Sequence, residues 1–265
     1  VFMYEKPEKS KHVNAAELEY IHQDDAENAA AVKDEKKGEK QISLWKCFTF
    51  KQTWAFITGK FFTDGVWWFF LFWAPAYFSD QFGYTSSSGM GVALITTLYA
   101  IVTVLSIFGG YLPRVFVDKK GMNPYAGRML AMLLFAFFPL FALFAQPMGV
   151  HSAWWPAIFI GLAGAGHQAW SANLFSTIGD MFPKSTIATI TGIGAMAGGI
   201  GSFLINKGSG MLFTYAENAA TFSFMGFDGK KGGYMIVFCI CAVAYLIGWV
   251  IMKILVPKYK PIVVD

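Results

Sequence analysis

The apolar positions of this chain neither alternate nor form one stripe along a helix. They come in unbroken runs, at roughly 52–80, 90–112, 129–146, 154–180, 187–214 and 234–256. Runs of about 18–25 apolar residues match the ~30 Å hydrocarbon thickness of a bilayer, whereas a helix on a soluble core would show apolar residues on one face only. The pattern therefore predicts an all-α integral membrane protein with six transmembrane helices. The stretches GYTSSSG, MNPYAG, QPMGVHS and FDGKKGG mark turns between them, with the two longest connections at 113–128 and 215–233.

Composition agrees and narrows the classes further. Hydrophobic residues make up 55% of the chain and charged residues only 14%, so a single soluble core is excluded, and the formal charge of +4 gives no argument for a nucleic-acid partner. What matters is where the basic residues sit. Arg114, Lys119, Lys120 and Arg128 fall in 113–128, Lys184 in the fourth-to-fifth connection, and Lys258 and Lys260 in the tail, while 80–89 and 146–153 carry none. Only Lys230 and Lys231 dissent, so positive-inside counting places both ends of the chain in the cytoplasm. Cys47, Cys239 and Cys241 lack metal-site or disulfide-framework spacing and read as reduced thiols.

Three regions follow: a polar segment over 1–50, a transmembrane body over 51–257 and a cytoplasmic tail over 258–265. Within the first, NAAELEYI has helix-like spacing, and the charge-dense tract Lys33–Lys40 has no apolar anchors and reads as solvated chain. Val1 followed by a charged stretch, with no signal peptide, reads as the interior of something longer.

Small residues are concentrated in two spans, TGIGAMAGGIGS at 191–202 and IGLAGAG at 160–166. In lipid, small residues let helix backbones approach one another, so both spans are expected to lie against neighbours, with a hinge as the alternative role for the first. Pro75 and Pro139 mark expected kinks.

The stretch GKFFTDGVWWFF at 59–70 holds a lysine and an aspartate four residues apart inside an apolar run. On a helix, Lys60, Thr63, Asp64, Trp67, Trp68 and Leu71 share one side. Two readings stand: a mutually neutralising pair, with Lys60 reaching for the interface, or a cation offered to an anionic solute beside flat tryptophan faces. A second polar cluster, GHQAWSANLFSTIGD at 166–180, places His167, Trp170 and Ser171 on one stripe, with Gln168, Asn173 and Thr177 further round. It reads either as inter-helix hydrogen bonding or as a site for a hydroxylated ligand, and His167 is in addition a candidate proton carrier. An enzyme would need converging acids, a nucleophile or metal ligands. Asp80, Asp118 and Asp180 are scattered, and no HExxH, CxxC or GxSxG pattern occurs, so no catalytic or metal-binding residue is assigned.

The stretches GKFFTDGVWWFFLFWAPAYF, GGYLPRVFVDKKG and AGAGHQAWSANLFSTIGDMFPKSTIATITGIGAMAGGIG together resemble the C-terminal half of a major facilitator superfamily transporter. The likeness is to its anion:cation symporter group, the bacterial hexuronate (galacturonate/glucuronate) transporters, and EKPEKSKHVNAAELEYI resembles the linker that joins the two six-helix halves there. The resemblance implies one half of a twelve-helix protein in a bacterial inner membrane, partnered by an N-terminal half and the bilayer. It implies import of an anionic sugar by alternating access, driven by a proton or sodium gradient with no bound cofactor. Carried over residue by residue, it implies Lys60 and Trp68, and more loosely Trp67 and Asp64; Lys60 is then the candidate for the carboxylate, Trp67 and Trp68 for stacking, and Gln168, Trp170 and Asn173 join them as candidate hydroxyl contacts. Asp64 and His167 stand as proton-linked candidates. The degenerate Gly…Asp…Gly pattern marks Arg114, Asp118, Lys119 and Lys120 as a cytoplasmic gating loop. Ala195 and Gly199 stand where some relatives have asparagine, and the family's main carboxylate-binding arginine and coupling acids belong to the other half.

Overall fold

The computed structural model describes residues 7–11, 13–19, 42–219 and 221–262. The chain divides into two units, residues 1–42 with 264–265, and residues 43–263. In the first, a 3-10 turn spans Pro7–Lys9, and residues 15–19 are helical where the NAAELEYI pattern predicts it. Asn14 caps that turn, its Oδ1 accepting from the Glu17 amide at 2.8 Å. The tract Lys33–Lys40 lies outside the described residues.

The second unit is helical throughout apart from one small hairpin. After a single turn at Leu44–Cys47 come α1 (Lys51–Phe82), α2 (Gly89–Lys120), α3 (Pro124–Ala136), a 3-10 stretch (Phe138–Phe144), α4 (Ala145–Gly149), α5 (Trp154–Met181), α6 (Ile187–Asn218) and α7 (Lys230–Leu255). Strands β1 (Ser223–Phe224) and β2 (Phe227–Asp228) pair antiparallel between α6 and α7. Boundaries are local chemistry. Ser88 accepts from the Gly91 amide at 3.1 Å to begin α2, Asn123 with Pro124 behind it begins α3, and left-handed Gly83 and Gly121 end α1 and α2 with φ of 72° and 61°.

Among the described residues four segments are long and apolar enough to cross a membrane: Gly89–Lys120, Pro124–Gly149, Lys184–Asn218 and Lys230–Leu255. Helices α1 and α5 have the length, 32 and 28 residues, but carry the two polar clusters that dilute their hydropathy. Two expectations are corrected. The 113–128 connection is mostly helix, because α2 runs through Pro113 to Lys120 and leaves only Gly121–Asn123 as turn. The 215–233 connection shrinks likewise to the hairpin region, since α6 continues to Asn218 and α7 starts at Lys230. Amphipathic ends at the rim of an apolar run extend a helix that hydropathy alone would stop. Pro139 does interrupt its helix, with seven residues of 3-10 structure, whereas α1 continues through Pro75.

The core is built by close approach. α6 turns Gly194, Gly198 and Gly201 towards α1, where an added Cβ would overlap the Phe56 ring, the Asp64 carboxylate and the Phe61 carbonyl respectively, while Gly192 and Gly199 face open space. α5 packs on α2 in the same way, with Asn173 donating from Nδ2 to the Gly109 carbonyl at 3.2 Å. Ion pairs tie the ends. Arg128 grips Asp180 through two hydrogen bonds of 2.7 and 3.2 Å where α3 begins and α5 finishes. At the opposite end Asp80 accepts from Tyr234 at 2.7 Å and pairs with Lys230 at 2.9 Å. Two of the acids that look scattered in the sequence, Asp80 and Asp180, are therefore rivets between helix ends, while Asp118 pairs within α2.

A methyl group at Gly198 is expected to force α1 and α6 apart. Gly198→Ala should lower the unfolding temperature in detergent by roughly 3–10 °C, an overpacking cost, while Gly179→Ala, with nothing within 4 Å, should hold or raise it. Equal behaviour of the two variants in a thermal unfolding assay would contradict this packing.

Candidate functional site

Lys60 and Asp64 lie one turn apart on α1, and their side chains meet at 2.7 Å with only 7% and 12% of their surfaces exposed. The pair is sealed on two sides. Lys60 Nζ stands 4.5 Å from the centre of the Phe175 ring on α5, and Asp64 fills the space left by Gly198 on α6. A charge pair in so apolar a place pays a desolvation cost that mutual attraction only partly returns, and removing one partner alone typically costs about 3–5 kcal/mol. Both side chains are buried within the bundle and turned to each other, which is the mutually neutralising pair of the first reading.

Beside the pair, three helices converge on one imidazole. His167 on α5 stacks face to face with Trp67 on α1 at 5.2 Å and 7°, and its Nδ1 lies 2.6 Å from the Tyr245 hydroxyl on α7. Tyr245 in turn donates to the Thr63 carbonyl on α1 at 3.1 Å. A carbonyl can only accept, so the single phenol proton is spent on Thr63, and His167 donates from Nδ1 to Tyr245. Nε2 is then the acceptor nitrogen of the neutral ring. Sequence reasoning missed Tyr245. A lone tyrosine in the apolar run of α7 gives no local sign that it faces α1 and α5.

The other candidates separate by environment. Trp68 is 37% exposed and stacks on Phe72, one step round from Trp67, so the two indoles do not form one shelf. Trp170 is fully buried, edge-on to Tyr245 at 5.5 Å, and its Nε1 has no hydrogen-bond partner. Asn173 is spent on backbone, donating to Ala169 as well as Gly109, and Thr177 donates to Leu174. Gln168 is half-buried. Arg114, Asp118, Lys119 and Lys120 sit on the last two turns of α2, not on a loop. Arg114 and Asp118 pair there at 3.2 Å, well exposed. Among the described residues no three His, Cys, Asp or Glu side chains are grouped as a metal would require. The three cysteines are unpaired, and burial pushes the Cys47 thiol above its ordinary pKa.

Two large clefts open at the ends of the bundle. One, about 730 Å³, lies where the start of α1 meets the segment 255–262, strapped by the Gln52 amide donating to the Lys260 carbonyl at 2.9 Å. The other, about 950 Å³, lies at the far end, between Gln81, Gln146, Trp154 and Lys231.

The family model described as Major Facilitator Superfamily matches residues 1–205. Among curated proteins, the chain is 24% identical over 208 residues to the hexuronate transporter of Escherichia coli strain K12 and, equally, to that of Escherichia coli O157:H7. Those alignments take in 77% of this chain and 45% of each relative, so the chain spans about half the length of the curated relatives it matches. The helical bundle with its long apolar spans agrees with that match. By that match over most of its length, the chain is a multi-pass membrane protein of the major facilitator superfamily.

Proposed function

We propose that the chain is the six-helix C-terminal half of a secondary transporter that imports a hexuronate, or a closely related sugar acid, by alternating access together with a proton. Its relatives in this family are transporters, so the chain is no enzyme. The observation that carries the reading is the Lys60–Asp64 pair, desolvated and unattached to either end of the bundle. A packing device has no use for so costly a pair, whereas a solute carboxylate can replace Asp64 as the partner of Lys60 without leaving a bare charge. Asp64, once released, is free to take a proton, which links anion and proton uptake at one turn of α1.

In this reading Trp67 and Trp68 offer stacking faces on successive flanks of α1, and Gln168 an amide for sugar hydroxyls. Asn173, already bonded to two backbone carbonyls, here positions α5, and Trp170, whose buried indole nitrogen has no partner, stays a candidate hydroxyl contact. His167, held by Trp67 and Tyr245, is the second proton-linked group. In this reading the transporter sits in a bacterial inner membrane, and positive-inside counting supports a cytoplasmic side for the Lys119–Arg128 end and both termini of this chain. The exposed Arg114–Asp118 pair at the foot of α2 is, in this reading, part of a cytoplasmic gate against the N-terminal half.

Uptake of labelled galacturonate into proteoliposomes of the complete transporter tests this. An inward proton gradient is expected to drive accumulation, competed by glucuronate and not by galactose; accumulation driven only by a sodium gradient would overturn the coupling ion, and no uptake at all would overturn the substrate. Tyr245→Phe, which removes the acceptor for His167 Nδ1 at almost no change of volume, is expected to slow proton-driven uptake about tenfold and leave proton-independent galacturonate exchange within about twofold. Equal losses in both modes would make Tyr245 a packing residue only.

A further inference from the structure

The cleft of about 950 Å³ at the far end has no part in the central charge pair, and its lining mixes aromatic rings with amide, hydroxyl and charged side chains. Gln81 from the last turn of α1, Gln146 from α4, Ser152 from the connection into α5, Trp154 from the first turn of α5, Asp228 from β2 and Lys231 from α7 all border it. Gln146 is only 4% exposed. Its amide nitrogen donates to Gln81 Oε1 at 3.1 Å, and its own Oε1 has no hydrogen-bond partner. A buried acceptor left unmet is uncommon and asks for a donor from outside the chain. Lys231 differs from its neighbour: Lys230 is held by Asp80, whereas no ion pair among the described residues engages Lys231.

We propose that this cleft is a second, outer binding site for a polyhydroxylated carboxylate, occupied before the solute reaches Lys60. The proposal rests on the transporter reading above. Gln146 Oε1 takes a ligand hydroxyl, Trp154 lies under the ring, and Lys231 draws the carboxylate to the α7 side. Asp228, an exposed carboxylate across the hairpin, repels the ligand's charge and accepts from its hydroxyls, which orients the molecule. A pocket of this size holds one sugar acid with its water, within the usual range of about 300–1,000 Å³ for small-molecule sites. Its affinity is low by construction, with one cation and few fixed donors, as suits a waiting site that must release inwards.

The test is galacturonate uptake by the complete transporter in right-side-out proteoliposomes, comparing wild type, Gln146→Leu and Lys231→Ala. Each variant is expected to raise the half-saturation concentration about tenfold while changing the maximal rate less. Wild-type half-saturation in both variants, whatever the maximal rate, overturns the outer site and leaves the transporter reading standing. Failure of wild type to take up galacturonate defeats that reading, and the outer site with it. Should Gln146→Leu fail to fold, Lys231→Ala, at an exposed position, decides alone, and Lys231→Glu is expected to raise half-saturation further.

Discussion

A single ion pair sets the terms for the rest of the bundle. Lys60 and Asp64 neutralise each other across one turn of α1, at 2.7 Å, in surroundings that admit almost no water. Holding such a pair requires that α6 come close without side chains in the way, which Gly194, Gly198 and Gly201 allow, and that an aromatic ring cover the cation, which Phe175 does. The neighbouring turn is then fixed by Tyr245, which joins α7 to the Thr63 carbonyl and to His167 on α5. Packing glycines, the aromatic cover and the tyrosine bridge are separate devices that all serve one expensive charge pair.

Much of the fold was legible because a bilayer makes unusual demands. Every backbone group must be satisfied within its own segment, so continuous apolar runs translate directly into helices and glycine clusters into close contacts. The five-glycine run of α6 reads as packing with a hinge as the alternative, and the structure divides it: three glycines meet α1 and two face open space. Helix ends were less legible. Arg114, Asp118, Lys119 and Lys120 look like a loop by charge, yet α2 carries them to Gly121, where a left-handed glycine ends the helix. Hydropathy registers where a chain leaves the apolar layer, and helical structure continues past that point.

The site was legible where its chemistry is local. An i,i+4 Lys–Asp pair in an apolar run announces itself by spacing, and the structure forms it. The partners of His167 were not legible, since Trp67 and Tyr245 reach it from helices about 100 and 78 residues away along the chain. Of the candidate ligand contacts, Asn173 donates to a backbone carbonyl of α2 and Trp170 packs edge-on to Tyr245 of α7. A polar side chain at depth must find a partner, and the sequence alone does not say whether that partner is a ligand or a backbone carbonyl.

The central claim is that the charge pair is kept for a passing anion and not for stability. The most direct measurement is a double substitution, Lys60→Met with Asp64→Leu, in the complete transporter, reading folded yield by gel filtration and galacturonate uptake side by side. The account expects each single variant to fold poorly, because it strands a charge, and the double variant to recover folded protein with uptake reduced to background. A double variant that folds and still transports at the wild-type rate would contradict it, leaving the pair as no more than a neutralised defect in the helix.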